Sequence, residues 1–184
     1  MKKEKRLPLS VIRKTRCLSN MEENRVKMGL EPVFNSDSKV LILGSFPSVK
    51  SRETSFYYGN KQNRFWRMLC GYFHEEIPAT NEEKKEFLLR NRIALWDMVT
   101  ECEIIGSADS SVKNEKIANL ACILENTRLE RVILNGALAW ELFQKHYPSF
   151  PVLSLKMPST SPANPRYDEM LWKKALDEIF ANVH

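Results

Sequence analysis

The sequence predicts an α/β fold: a three-layer α/β/α sandwich around a mostly parallel, four-stranded central sheet. Three observations predict it. Val40-Leu41-Ile42-Leu43 is an unbroken apolar run of the kind found in a sheet covered on both faces. Short apolar runs of this type then alternate with amphipathic helical patterns, which a parallel sheet with right-handed crossovers requires. Each of the four runs is followed by a polar cluster: Gly44–Ser48, Asp97–Thr100, Asn135-Gly136 and Pro158–Asn164. In such sheets ligands bind at the carboxyl ends of the strands, so these clusters should share one edge.

The elements follow in order. Residues 1–20 read as a basic, flexible N-terminal lead, and residues 21–184 as a single domain. Asn35–Ser38 is a turn ahead of the first strand. Phe65–Phe73 carries Phe65, Met68, Leu69 and Tyr72 on one helical side. Asn81–Asn91 is a second helix, with Asn81 able to cap it, Glu82 and Glu83 in its first turn, and Phe87, Leu88 and Leu89 inward. Ile93–Val99 is the second strand and Gly106–Ser111 a polar loop. Glu115–Asn126 is expected as a helix, from Ile117, Leu120, Ala121 and Leu124. Arg131–Leu134 is the third strand, Ala137–His146 a helix, Val152–Leu155 the fourth strand and Asp168–Phe180 the closing helix.

Composition excludes several classes. The 184 residues are 43% hydrophobic with a mean hydropathy of −0.39, which describes a globular protein with a full core. No apolar run reaches the roughly 20 residues that span a bilayer, and the N-terminus lacks the apolar core of a secretory signal; a cytoplasmic monomer is expected. Cys17, Cys70, Cys102 and Cys122 form no CxxC pair, and His74, His146 and His184 are scattered. No metal, iron–sulfur cluster or other cofactor is expected. The net charge of +5 is uneven: residues 1–16 carry +6 and the rest −1. The arm reads either as a phosphate-seeking segment or as a solubilising tail.

The strand-end clusters limit the chemistry. No phosphate loop, dinucleotide fingerprint or HExxH occurs, and no histidine falls in a cluster, so a Ser–His–acid set is absent. Amides, hydroxyls, aromatic faces and backbone N–H groups remain, with Asp97 the one carboxylate at a strand end. Such a set can orient a water and stabilise a leaving anion, but it does not easily form a covalent intermediate.

The motifs GSFPS (44–48), YYGN-x-x-N-x-FW (57–66), LWD (95–97), ILNG (133–136) and PSTSPAN (158–164) together resemble the uracil-DNA glycosylase superfamily. They are most similar to its hypoxanthine-DNA (deoxyinosine) glycosylase family, with mismatch-specific uracil/thymine glycosylases as relatives. The resemblance implies a monofunctional enzyme of base-excision repair whose partner is DNA and which flips a deaminated base into a pocket. Most superfamily members position the attacking water with an Asp or Asn two residues after the Gly of the first motif. Here that residue is Phe46; the family that the chain resembles shows the same loss, and a later Asn takes the role there. Asn60 and Asn63 are the two candidates, and Asn60 is favoured because Asn63 has the alternative of capping the helix behind it. Lys61 stands where the family usually has Pro.

The resemblance implies the remaining roles. Asn60 and Asn135 form the catalytic set, with Asn135 pairing with the base edge. Phe46 and Tyr58 stack on the base, and Asn63 and Asp97 line its pocket; an ionised Asp97 facing a departing anion would oppose the reaction, which favours a structural role for it. Ser45, Pro47, Ser48, Ser159, Thr160 and Ser161 hold phosphates. Met157 replaces the polar residue that opens the second motif elsewhere, which argues against a uracil-type leaving-group mechanism. Two alternatives stay open: a uracil or thymine mismatch glycosylase, and a non-catalytic nucleic-acid-binding module of the same fold.

Overall fold

The computed structural model describes residues 24–105 and 112–180; the expected N-terminal lead and the Gly106–Ser111 loop lie outside them. The elements in chain order are β1 (Asn24–Met28), β2 (Val40–Gly44), α1 (Val49–Glu53), α2 (Phe65–Tyr72), α3 (Asn81–Arg90), β3 (Ile93–Asp97), β4 (Val99–Ile105), β5 (Val112–Ile117), α4 (Ala121–Asn126), β6 (Arg131–Asn135), α5 (Ala137–His146), β7 (Leu153–Met157) and α6 (Glu169–Phe180). They fall into two compact units.

The larger unit, residues 29–100 and 117–180, holds the predicted sheet. Its spatial order is β3-β2-β6-β7, every pair parallel. β2 lies inside, and Val40, Leu41, Ile42 and Leu43 are all fully buried, as the unbroken apolar run requires. Each such side chain contributes about 1.5–3 kcal/mol on burial. β7 at the edge is exposed at Leu153 and Lys156, half-buried between them, and ends on buried Met157. α3 packs on β3, and α5 on β6 and β7. An aromatic chain runs through α2, α3 and α6, joining Trp66 to Phe87, Phe87 to Phe73 and Phe73 to Phe180. A second group, Phe143, Tyr147 and Phe150, lies on and just beyond α5.

The smaller unit, residues 24–28 with 101–105 and 112–116, is a three-stranded sheet in the order β1-β4-β5, with β1 and β4 antiparallel. The sequence reading missed it. Residues 115–117, expected within a helix, belong to β5, and the helix begins only at Ala121. Cross-strand partners decide the outcome: Lys116 pairs with Glu101 at 2.8 Å, and Asn114 donates to Glu103 at 3.0 Å. The expected strand at 93–99 also divides. After Asp97 the chain turns, held by Met98 N–H to Gly44 O and Val99 N–H to Ser45 O, both 2.9 Å, and continues as β4. Smaller shifts occur at two ends. β7 runs to Met157, and Thr80 rather than Asn81 caps α3, in a capping box with Glu83.

Candidate active site

Parallel register brings the four strands to a common edge. Gly44 lies opposite Asp97, and Asn135 opposite Met157. The loops that leave this edge carry the predicted site residues, and hydrogen bonds tie three of them, Tyr58, Asn135 and Thr160, into one network.

Asn135 is the centre of the network and is 8% exposed. Its Nδ2 donates to the Tyr58 hydroxyl and to Thr160 Oγ1, both at 2.9 Å, and its Oδ1 accepts from the Thr160 N–H at 2.9 Å. One carboxamide therefore joins the ends of β6 and β7 to the 55–60 loop. Both amide hydrogens are engaged within the chain, so Asn135 braces the site. Thr160, expected among the phosphate contacts, is fully buried, and its hydroxyl oxygen accepts from Asn135.

Tyr58 stacks on Phe65 with ring centroids 3.9 Å apart and planes 22° from parallel. Its backbone is left-handed, φ +54°, which costs a non-glycine residue on the order of 1 kcal/mol and is held by the phenol's anchorage and the stack. One face of Tyr58 is therefore occupied by Phe65 and not by a ligand. Phe46 is partly exposed and lies beneath the Arg52 guanidinium, 5.2 Å from its centroid. Arg52 also donates to the Pro47 carbonyl, fixing the GSFPS turn. Pro47 is buried.

Asp97 is 4% exposed. A Cβ at residue 44 would stand 2.2 Å from Asp97 Oδ1 and 3.4 Å from the Tyr58 hydroxyl oxygen, so only glycine fits between them. Asp97 Oδ2 is buried without a hydrogen-bond partner. Burial raises the Asp97 pKa from 3.8 to about 7. Tyr58 and Tyr57 are pushed upward too, first by burial and then by the nearby Asp97.

The remaining predicted residues keep local partners. Asn60 is partly exposed; its Oδ1 accepts from Gln62 N–H at 3.0 Å and its backbone carbonyl from Asn63 N–H at 2.8 Å. The carbonyl oxygen keeps a second lone pair, and Asn60 lies two residues from Tyr58. Asn63 Oδ1 accepts from Phe65 N–H at 3.0 Å, closing an Asx turn ahead of α2 and, like Asn60 Oδ1, keeping a second lone pair. Ser48 caps α1, accepting from Ser51 N–H at 3.2 Å, and stays exposed; Ser45 is partly exposed. Ser51, which sequence reasoning passed over, is buried and connects Ser48 to the Gly59 N–H, joining the first motif to the YYGN loop. Nothing in its immediate sequence marked it.

Ser159 and Ser161 border a groove of about 620 Å³ beside the α5 N-terminus, together with Pro158, Asn164, Lys156 and Arg166. Gly136, at φ +108°, opens α5 and lets Ser159 approach: a Cβ there would lie 3.0 Å from that of Ser159. Lys156 and Arg166 were also missed, although two cations flanking PSTSPAN were a legible signal. Arg64 was missed without a local signal. Its guanidinium donates to the carbonyls of Ser161 and Asn164, both 3.1 Å, and lies 4.8 Å over Tyr167, so it fastens the second motif to the start of α2.

Comparison with known proteins matches residues 31–181 to the family described as the Uracil DNA glycosylase superfamily. A protein of Methanosarcina acetivorans named hypoxanthine DNA glycosylase is 33% identical over 146 residues, 78% of this chain and 92% of its own. One of the same name from Methanosarcina barkeri is 33% identical over 117 residues, 62% of this chain and 74% of its own. A solution NMR structure from M. acetivorans, named as a candidate uracil DNA glycosylase, superposes with a TM-score of 0.74 at 31% identity, covering 84% of this chain and 99% of that one. The matched span contains all four strand-end clusters: the chain belongs to the uracil DNA glycosylase superfamily and is a DNA glycosylase.

Proposed function

We propose that this DNA glycosylase removes hypoxanthine from deoxyinosine in DNA, with Asn60 orienting the water that attacks C1′. The observation that carries the substrate is the residue set at the two motif positions that usually hold polar groups. Phe46 cannot accept a hydrogen bond from water, and Met157 is 4% exposed and cannot donate one to a uracil-type leaving base. Relatives named hypoxanthine DNA glycosylase support the same choice.

The flipped nucleotide enters at the edge formed by Gly44, Asp97 and Asn135. Phe46 offers an aromatic face to the base, worth about 1–3 kcal/mol per stack. Ser45, Ser48, Ser159 and Ser161 meet the flanking phosphates, and Lys156 and Arg166 supply charge beside the second serine pair. The glycosidic bond breaks with positive charge on the sugar and negative charge on the base. The Asn60 carbonyl accepts from the incoming water and holds it on the sugar face, and the Asn135 network keeps the surrounding loops in place.

Single-turnover release of free base from inosine-, uracil- and G·T-containing duplexes tests the reading. Hypoxanthine release should dominate. Faster uracil or thymine release would favour a mismatch enzyme, and lesion binding without any release would leave a binding module. Asn60→Ala should cut base release by about 10²-fold or more with lesion binding retained. Equal rates in variant and parent would remove Asn60 from the mechanism.

A further inference from the structure

The strand-end network contains one group that the proposed reaction does not use. Asp97 sits at the floor of the edge where the base must leave, shut from solvent, with Oδ2 unpartnered and Oδ1 against the Gly44 backbone. A structural carboxylate would be expected to hold a cation or several N–H donors. The neighbours here are different. β2 contributes no titratable side chain, β3 none besides Asp97, and the β6 end contributes the neutral amide of Asn135. From the 55–60 loop come the phenols of Tyr57 and Tyr58, both held in their neutral form. Among the described residues no Lys, Arg or His faces it closely enough to favour its charge.

The structure assigns Asp97 the role of a proton-gated residue: the enzyme releases base with Asp97 protonated, and loses that activity when Asp97 ionises and sets an uncompensated negative charge beside the departing base. The inference rests on the glycosylase reading above and deepens it. It also answers the objection that a carboxylate at this position would oppose the reaction. A neutral acid does not repel a leaving anion, and the low-dielectric burial that keeps the proton on would magnify the repulsion once the proton is lost. Field, rather than contact, carries the effect, so it needs no hydrogen bond from Asp97 to the base. The gate should operate near neutral pH, since burial places the Asp97 pKa at about 7.

The test is the single-turnover rate of hypoxanthine release from an inosine duplex at saturating enzyme, between pH 5.5 and 9, for the parent, Asp97→Asn and Asp97→Ala. The parent rate should fall roughly tenfold per pH unit above the gate. Asp97→Asn, of the same shape and unable to ionise, should show a rate that stays flat from pH 6 to pH 9. Asp97→Ala should also lack the falling limb. A falling limb that persists in both variants overturns the inference, as does a parent rate that is flat through pH 9. If neither variant folds, a carboxyl ¹³C titration of the parent decides: a midpoint near 7 supports the gate, and one below 5 overturns it. Failure of the underlying reading looks different, because a parent that releases no base at any pH removes the reaction itself.

Discussion

At the scale of single residues, the buried edge of the sheet places more demand on Asp97 than on any other side chain. Its pKa is 3.8 in an unfolded chain and about 7 in the fold, where burial disfavours the charged form. Folding therefore takes up a proton. The contribution is neutral below pH 4, grows unfavourable as pH rises through 4 to 7, and is fully unfavourable above 7, by an amount on the order of 4 kcal/mol. Asp97→Asn should accordingly raise the melting temperature at pH 8.5, and its advantage over the parent should shrink as pH falls toward 4. Melting curves at four pH values check this, and a constant difference would mean that Asp97 titrates normally. This behaviour was not legible in the sequence. LWD marked a carboxylate at a strand end, but its environment depends on Gly44 and Tyr58, which come from two other segments. Asn135 shows the same limit. Its position was legible and its engagement with Tyr58 and Thr160 was not, because those partners lie 77 and 25 residues away.

At the scale of elements, periodicity located what is held by local burial. α5 begins and ends where its apolar spacing says, and β2, β3, β6 and β7 fall on the four apolar runs. It failed where partners decide: residues 115–117 read as the start of a helix yet pair as a strand, since cross-strand contacts outweigh propensity over so short a stretch. Arg64 belongs to this scale as well, because it joins two elements that sequence reading treats separately. Its Nη1 satisfies two carbonyls of the 158–164 loop while the guanidinium plane lies over Tyr167, a stacking surface that a lysine's ammonium lacks. Arg64→Ala should free that loop while leaving the core intact. The expected result is a loss of about tenfold in lesion-DNA affinity, equivalent to one charge-assisted hydrogen bond, and a smaller effect on the single-turnover rate at saturation. Fluorescence anisotropy beside single-turnover assays separates the two, and a rate loss larger than the affinity loss would place Arg64 nearer the chemistry.

At the scale of the whole molecule, charge is unevenly divided along the chain. Residues 1–16 carry +6 and the remaining chain −1. Within the body, the groove beside the second motif offers Lys156 and Arg166, while the nearby Arg64 is directed to carbonyl groups. Each phosphate neutralised on duplex DNA contributes about 0.9 to the slope of log affinity against log salt. A body that relies on Lys156 and Arg166 should therefore show a slope of about 2, and the intact chain a steeper one if the arm reaches phosphate. Deleting residues 1–16 should flatten the slope toward that value and weaken binding most at low salt, with single-turnover base release at saturating enzyme unchanged. Binding titrations from 50 to 300 mM salt, on matched inosine and undamaged duplexes, provide the measurement. Loss of affinity that is equal on both duplexes assigns the arm to sequence-independent attraction, because phosphate contacts carry no base information. An unchanged slope would show instead that the arm contributes solubility and that the groove alone supplies the contact with the backbone.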